Sequence, residues 1–286
     1  MRTRAGRAAA GVLCVVGLLA ACGDDGPTDD TGTDPAGTDA DTNPADATTA
    51  EAGGQDGAVE GTVTVLAASS LTDAFDEIGA AFERANPGAD VEFSFGGSSD
   101  LREQLLAGAP ADVFASANPS NMDAVVEGGA VAGEPEPFVT NSLEIVVPEG
   151  NPAGVEGLED FADEDLLLGL CAEEVPCGEF GREALANAGV TPAPDTNEPD
   201  VRSLLDRVAS GELDAGIVYV TDVRAAGDAV EGIEIPEDVN VVAEYPIATL
   251  AEAGEPEAAQ AFVDFVLSED GQAILASYGF GPPGAE

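Results

Sequence analysis

The chain has 286 residues, with 9 Lys and Arg against 56 Asp and Glu and no His, for a formal charge of −47. Every basic residue is Arg, so Schiff-base and P-loop lysines, histidine catalysis and histidine metal ligation are excluded, and the acidic excess repels nucleic-acid phosphates. The length suits one large or two medium domains, and a hydrophobic content of 44% is enough to bury a real core.

Arg2, Arg4 and Arg7 precede an apolar stretch from Ala8 to Leu19, which Leu19-Ala20-Ala21-Cys22 closes with small residues before a cysteine. This ending resembles a bacterial lipobox. The resemblance implies a signal peptide over residues 1–21, cleavage before Cys22, and a lipid on its thiol that holds the protein on the extracytoplasmic face of the cell membrane. The apolar run itself is too short to span a bilayer comfortably. Cleavage leaves 6 Arg against 56 acids, a charge of −50. Together with Cys22, residues up to 58 form an acidic tether of Asp, Thr, Gly, Ala and Pro, too poor in large apolar groups to repay ordering.

Beyond Cys14 and Cys22 the cysteines are Cys171 and Cys177. In an exported chain two nearby cysteines default to a disulfide. A metal site has little support without His or further thiols, and neither a metal nor a cofactor is expected.

From residue 59 strands alternate with helices. Thr62 to Ala67 reads as a strand, followed by a helix with Leu71, Ala74, Phe75, Ile78, Ala81 and Phe82 on one face and Ser70 at the N-cap position. Asn86-Pro87-Gly88 stops that helix. Val91 to Phe95 is the next strand, Gly96-Gly97-Ser98-Ser99 turns into a helix through Leu101 and Leu105, and Ala111 to Ala115 is a third strand before a helix at Met122 to Val126. Three such units in a row predict a parallel α/β sheet. Leu143 to Pro148, Leu166 to Leu170 and Ala215 to Val220 read as further strands. Helices are predicted from Val175 to near Gly189, over Val201 to Val208, and at Ala258 to Val266 and Gly271 to Tyr278.

Ligands of open α/β sheets bind beyond the carboxyl ends of the strands, and two adjacent strand ends here carry Ser-rich turns that start helices. Hydroxyls and free N–H groups at helix N-termini make an anion site without formal charge. On spacing alone, Ser70 and Ser98 as ordinary N-caps is the favoured alternative.

Val65-Leu66-Ala67-Ala68-Ser69-Ser70-Leu71-Thr72-Asp73-Ala74, Phe93-Ser94-Phe95-Gly96-Gly97-Ser98-Ser99 and Gly108 to Ala117 resemble the molybdate-binding proteins of bacterial ABC importers. Val175-Pro176-Cys177-Gly178, Asp200-Val201-Arg202, Gly216 to Asp222 and Tyr278-Gly279-Phe280 continue the likeness in order, so it covers Thr62 to Phe280. It implies a two-lobed, type II periplasmic-binding-protein fold with the ligand in the cleft: lobe 1 from residues 59–139 plus 246–286, lobe 2 from residues 140–245. Crossovers fall near Val139 to Asn141 and Tyr245-Pro246. The implied contacts to a tetrahedral oxyanion are Ser70 and Ser98 by hydroxyl and backbone N–H, Cys177 and Val201 by backbone N–H, and Tyr219 by its phenol. The implied partners are the permease subunits of an importer, with the protein acting as a monomer.

Two positions depart from the family pattern. Cys177 stands where a small residue is usual, and a bridge to Cys171 would stiffen its loop. Gly97 replaces a frequent serine, losing a hydroxyl but letting the backbone come closer. Arg202 and Asp222 are weighed as supporting residues or as a surface ion pair of little worth, and stay outside the expected site. The expected function is capture of molybdate, and of tungstate with it; sulfate, phosphate or a small organic anion is the alternative ligand. An exported enzyme with Ser69 or Ser70 as nucleophile lacks a His or Lys base. The acid excess and the absence of Lys suit salty surroundings, where screening relieves repulsion of a dianion.

Overall fold

A computed structural model describes residues 59–284; the expected signal peptide, Cys22 and the acidic tether lie outside them. Strand β1 (Glu60–Ala68) is rich in Thr and Val, and its carboxyl half is buried on both faces. Val63, Val65 and Ala67 join the larger core, whereas Leu66 faces a second one with Leu101, Phe114 and Met122. One 3-10 turn, Ser69–Leu71, leads into α1 (Thr72–Ala85), which buries Ala74, Phe75, Ile78 and Phe82. Then follow β2 (Gly88–Gly96), α2 (Ser98–Leu106), β3 (Val113–Ala115) and α3 (Pro119–Glu127). The Phe75 ring sits 5.9 Å from those of both Phe93 and Phe138, so helix, sheet and the next strand share one aromatic core.

The long β4 (Glu136–Pro148) opens the second half, followed by β5 (Leu168–Cys171), α4 (Pro176–Asn187), β6 (Thr196–Glu198) and α5 (Val201–Ala209). Next come β7 (Ala215–Tyr219), α6 (Val220–Ala226), β8 (Val230–Glu234), β9 (Val242–Thr249), α7 (Pro256–Leu267) and α8 (Glu269–Tyr278). The strands run in the order β2-β1-β3-β9-β4-β7-β5-β6, and β8 pairs with β4 beside this path.

The expected parallel sheet is mixed. β1 pairs in parallel with β2 and β3, and β5 with β6 and β7, but β9 runs antiparallel to β3 and β4, and β4 antiparallel to β7. β4 serves both halves: Glu136 to Ser142 pair with β9, and Leu143 to Val146 with β7. Two strands therefore pass side by side between the lobes, with Val139 opposite Tyr245. Sequence patterning misses β9 because Pro246 interrupts it. That proline lies opposite Pro137, where the register shifts, so neither missing N–H breaks a regular ladder bond between β4 and β9, and the Pro246 carbonyl still accepts from Ser116 at 2.9 Å.

Candidate functional site

The carboxyl ends of β1 and β7 and the N-termini of α2, α4 and α5 meet at one small cavity. Ser70 is not the predicted N-cap of α1. The 3-10 turn intervenes, Leu71 takes the cap position without a side-chain cap bond, and the buried Ser70 Oγ lies 2.9 Å from the Tyr245 hydroxyl. Ser98 is likewise no cap: Gly97 holds that position, Ser98 is the first residue of α2, and its Oγ accepts the Ala117 N–H at 3.0 Å. Neither hydroxyl proton is spent on the backbone.

In the second lobe, local hydrogen bonds select which N–H groups remain. The Val175 carbonyl accepts from Gly178 at 2.8 Å and Glu179 at 2.9 Å, and Pro176 has no N–H, which leaves that of Cys177. Cys177 is joined to Cys171 by a disulfide, and a Cβ at Gly178 would collide with the carbonyl oxygens of Cys171 and Ala172. The first turn of α4 is thus bound closely to the end of β5. Asp200 caps α5 by accepting from Arg202 at 2.8 Å and Ser203 at 2.9 Å, which leaves the N–H of Val201.

Tyr219 ends β7 with 1% exposure, and its hydroxyl, though it interacts with that of Tyr245, meets no partner among the described residues in hydrogen-bond geometry. Burial, with Tyr245 and Asp222 nearby, pushes this phenol well above its ordinary range, so it stays a protonated donor. Burial raises Tyr245 as well.

Ser69, Ser70, Ser98, Cys177, Val201 and Tyr219 line the cavity, so the structure brings together all five expected contact positions. The cavity volume is about 10 Å³ and no charged side chain lines it. That is below the roughly 300–1,000 Å³ of pockets for drug-sized ligands, so it suits one small ion. Three helix N-termini add positive potential without a formal charge.

Of the two readings weighed for Asp222 and Arg202, the structure favours support of the site over a surface pair. Asp222 has no exposure; its Oδ2 accepts the Tyr219 N–H at 3.2 Å, and its Oδ1 lies 3.0 Å from Arg202 Nε. Arg202 also reaches Asp73 on the other lobe. Asn141 and Tyr245, which the sequence reading places at the crossovers and not in the site, stand behind Ser70. Their signal is long-range: 175 residues separate Ser70 from Tyr245. Among the described residues no group of three or more His, Cys, Asp or Glu could hold a metal ion, and no helix is long and apolar enough to cross a membrane.

The family described as bacterial extracellular solute-binding protein matches residues 63–281. The molybdate-binding protein ModA of Mycobacterium tuberculosis is 40% identical over 222 residues, which is 78% of this chain and 85% of that protein. ModA of Escherichia coli is 35% identical over 236 residues, covering 78% of this chain and 90% of the relative. Among solved structures, the periplasmic molybdate-binding protein of Azotobacter vinelandii superposes with a TM-score of 0.67 at 19% identity, over 77% of this chain and 99% of that one, a likeness of fold.

Proposed function

Since the chain belongs to the bacterial extracellular solute-binding protein family, we propose that it captures molybdate in the cleft between its lobes and passes it to the permease of an ABC importer. The observation that carries this is the donor set: hydroxyls and backbone N–H groups converge on a cavity with no carboxylate and no cation in its lining. Such a cavity asks for a small ligand that only accepts hydrogen bonds. A fully ionised tetrahedral oxyanion does so at every oxygen. Both relatives described above are molybdate-binding proteins by name.

Ser70, Ser98 and Tyr219 donate through hydroxyls, Cys177 and Val201 through the backbone, and the lobes hold the anion between them. Tungstate, nearly equal in size and shape, binds with molybdate; sulfate, with shorter bonds, spans fixed donors poorly, and phosphate brings a proton that finds no acceptor. The protein acts as a carrier rather than an enzyme, because the cavity serines have no His or Lys to serve as base. A lipid on Cys22 keeps the carrier beside its permease at the outer face of the membrane.

Calorimetric titration with molybdate, tungstate, sulfate and phosphate tests this. One-to-one binding of the first two, with the others weak or silent, is the expected result. Silence toward molybdate and tungstate would sink the proposal.

A further inference from the structure

Behind Ser70 runs a buried chain of polar groups whose direction can be worked out from proton counting. Asn141 Oδ1 accepts the Ser142 N–H at 3.1 Å, which fixes the end of the amide that faces inward. Its Nδ2 then lies 2.8 Å from Thr221 Oγ1 and 3.5 Å from the Tyr245 hydroxyl. An amide NH₂ only donates, so toward Asn141 the Tyr245 oxygen is an acceptor. The phenol proton must go elsewhere: Ser70 Oγ is 2.9 Å away in hydrogen-bond geometry, whereas the Tyr219 hydroxyl interacts with Tyr245 without meeting that geometry. With Ser70 accepting from Tyr245, the serine proton is left for the cavity that Ser70 lines. Opposite, Ser98 Oγ accepts from Ala117, and Tyr219 has no partner in hydrogen-bond geometry among the described residues. The protons of Ser70, Ser98 and Tyr219 are therefore left unclaimed by any well-directed bond among the described residues, and all three side chains line the cavity.

Resting on the oxyanion function above, we propose that Asn141 and Tyr245 are positioning residues: they lock Ser70 as a hydrogen-bond donor and so favour anions that carry no proton of their own. Without Tyr245 the Ser70 oxygen regains a lone pair free to accept, and the hydroxyl can turn either way. Monohydrogen phosphate then gains an acceptor and molybdate loses a fixed donor.

The test is a double-mutant cycle on the whole protein, with Tyr245→Phe, Ser70→Ala and the double variant titrated with molybdate at slightly alkaline pH, then competed with phosphate. Tyr245→Phe keeps the ring in its core place; should it fail to fold, Asn141→Ala carries the same cycle. Tyr245→Phe is expected to weaken molybdate about tenfold and to cut the phosphate excess needed for displacement by a similar factor. In the Ser70→Ala background the same change should cost less than about twofold. Equal losses in both backgrounds would mean that Tyr245 merely supports the fold, and overturn the proposal. If the wild-type protein ignores molybdate but binds sulfate, the molybdate assignment falls and the cycle is run with sulfate. Silence toward all three anions overturns both.

Discussion

Arg202 Nε lies 3.0 Å from Oδ1 of Asp222, a carboxyl with no exposure, while the same guanidinium spans the cleft to Asp73. Burial pushes Asp222 up to about 7, although Arg202 and the Tyr219 N–H both favour its charged form. Between its ordinary 3.8 and about 7 the folded chain keeps a proton that the unfolded chain has released. Folding stability from this group therefore falls as pH rises through that window and levels off above it. Urea unfolding from pH 4 to 8, read as the difference between wild type and Asp222→Asn, should show the wild type losing ground up to about pH 7 and no further. A pH-independent difference would refute the assignment.

Tyr219 sets stability against binding. Its buried hydroxyl lacks a partner in hydrogen-bond geometry among the described residues, a desolvation cost that an accepting ligand removes. Tyr219→Phe should raise the melting temperature of the protein without anion by a few degrees while weakening molybdate by about 10- to 100-fold. Thermal melts with and without molybdate would reveal both effects; a variant less stable and equally tight would contradict this account.

Gly97 governs how closely the lobes meet. A Cβ there would lie 2.5 Å from the Pro199 carbonyl oxygen of the other lobe, and Asn118 donates to Glu179 across the same cleft at 2.7 Å. Gly97→Ala should leave each lobe folded and hold them apart. Affinity should drop at least about tenfold, with little change in denaturant midpoint for the protein without anion. Small-angle scattering with saturating molybdate should give a larger radius than for wild type; equal radii and affinities would exclude this role.

Charge shapes the approach of the anion more than its grip. A chain at −47 repels a dianion, yet the cavity donors are neutral. Raising salt from about 0.01 M to about 1 M shrinks the Debye length from roughly 30 to 3 Å, so the association rate should rise while dissociation changes little. Stopped-flow mixing across that range decides it, and a rate that falls with salt would show a local positive field stronger than the global negative one.

Much of this architecture was legible because strands such as Ala215 to Tyr219 are short, buried and continuously apolar, and helices such as α5 carry an acidic cap and a terminal glycine. The five contact positions follow from the family resemblance that the ordered motifs carry, and they share one cavity. Local spacing misled at Ser70 and Ser98, since a 3-10 turn in one case and a shift of one residue in the other uncouple them from capping. Tyr245 and Asn141 were beyond local reading. Pro246 conceals the strand that carries Tyr245, and the bond from Tyr245 to Ser70 depends on β9 and β1 both flanking β3.

The disulfide at the foot of α4 has one further consequence. Cys171 and Cys177 close the loop that presents the Cys177 N–H to the cavity, and such a bond persists only where thiols are oxidised. The finished geometry of this donor therefore depends on an oxidising compartment. A copy held back inside the cell would keep both thiols and present the Cys177 N–H on a slacker loop.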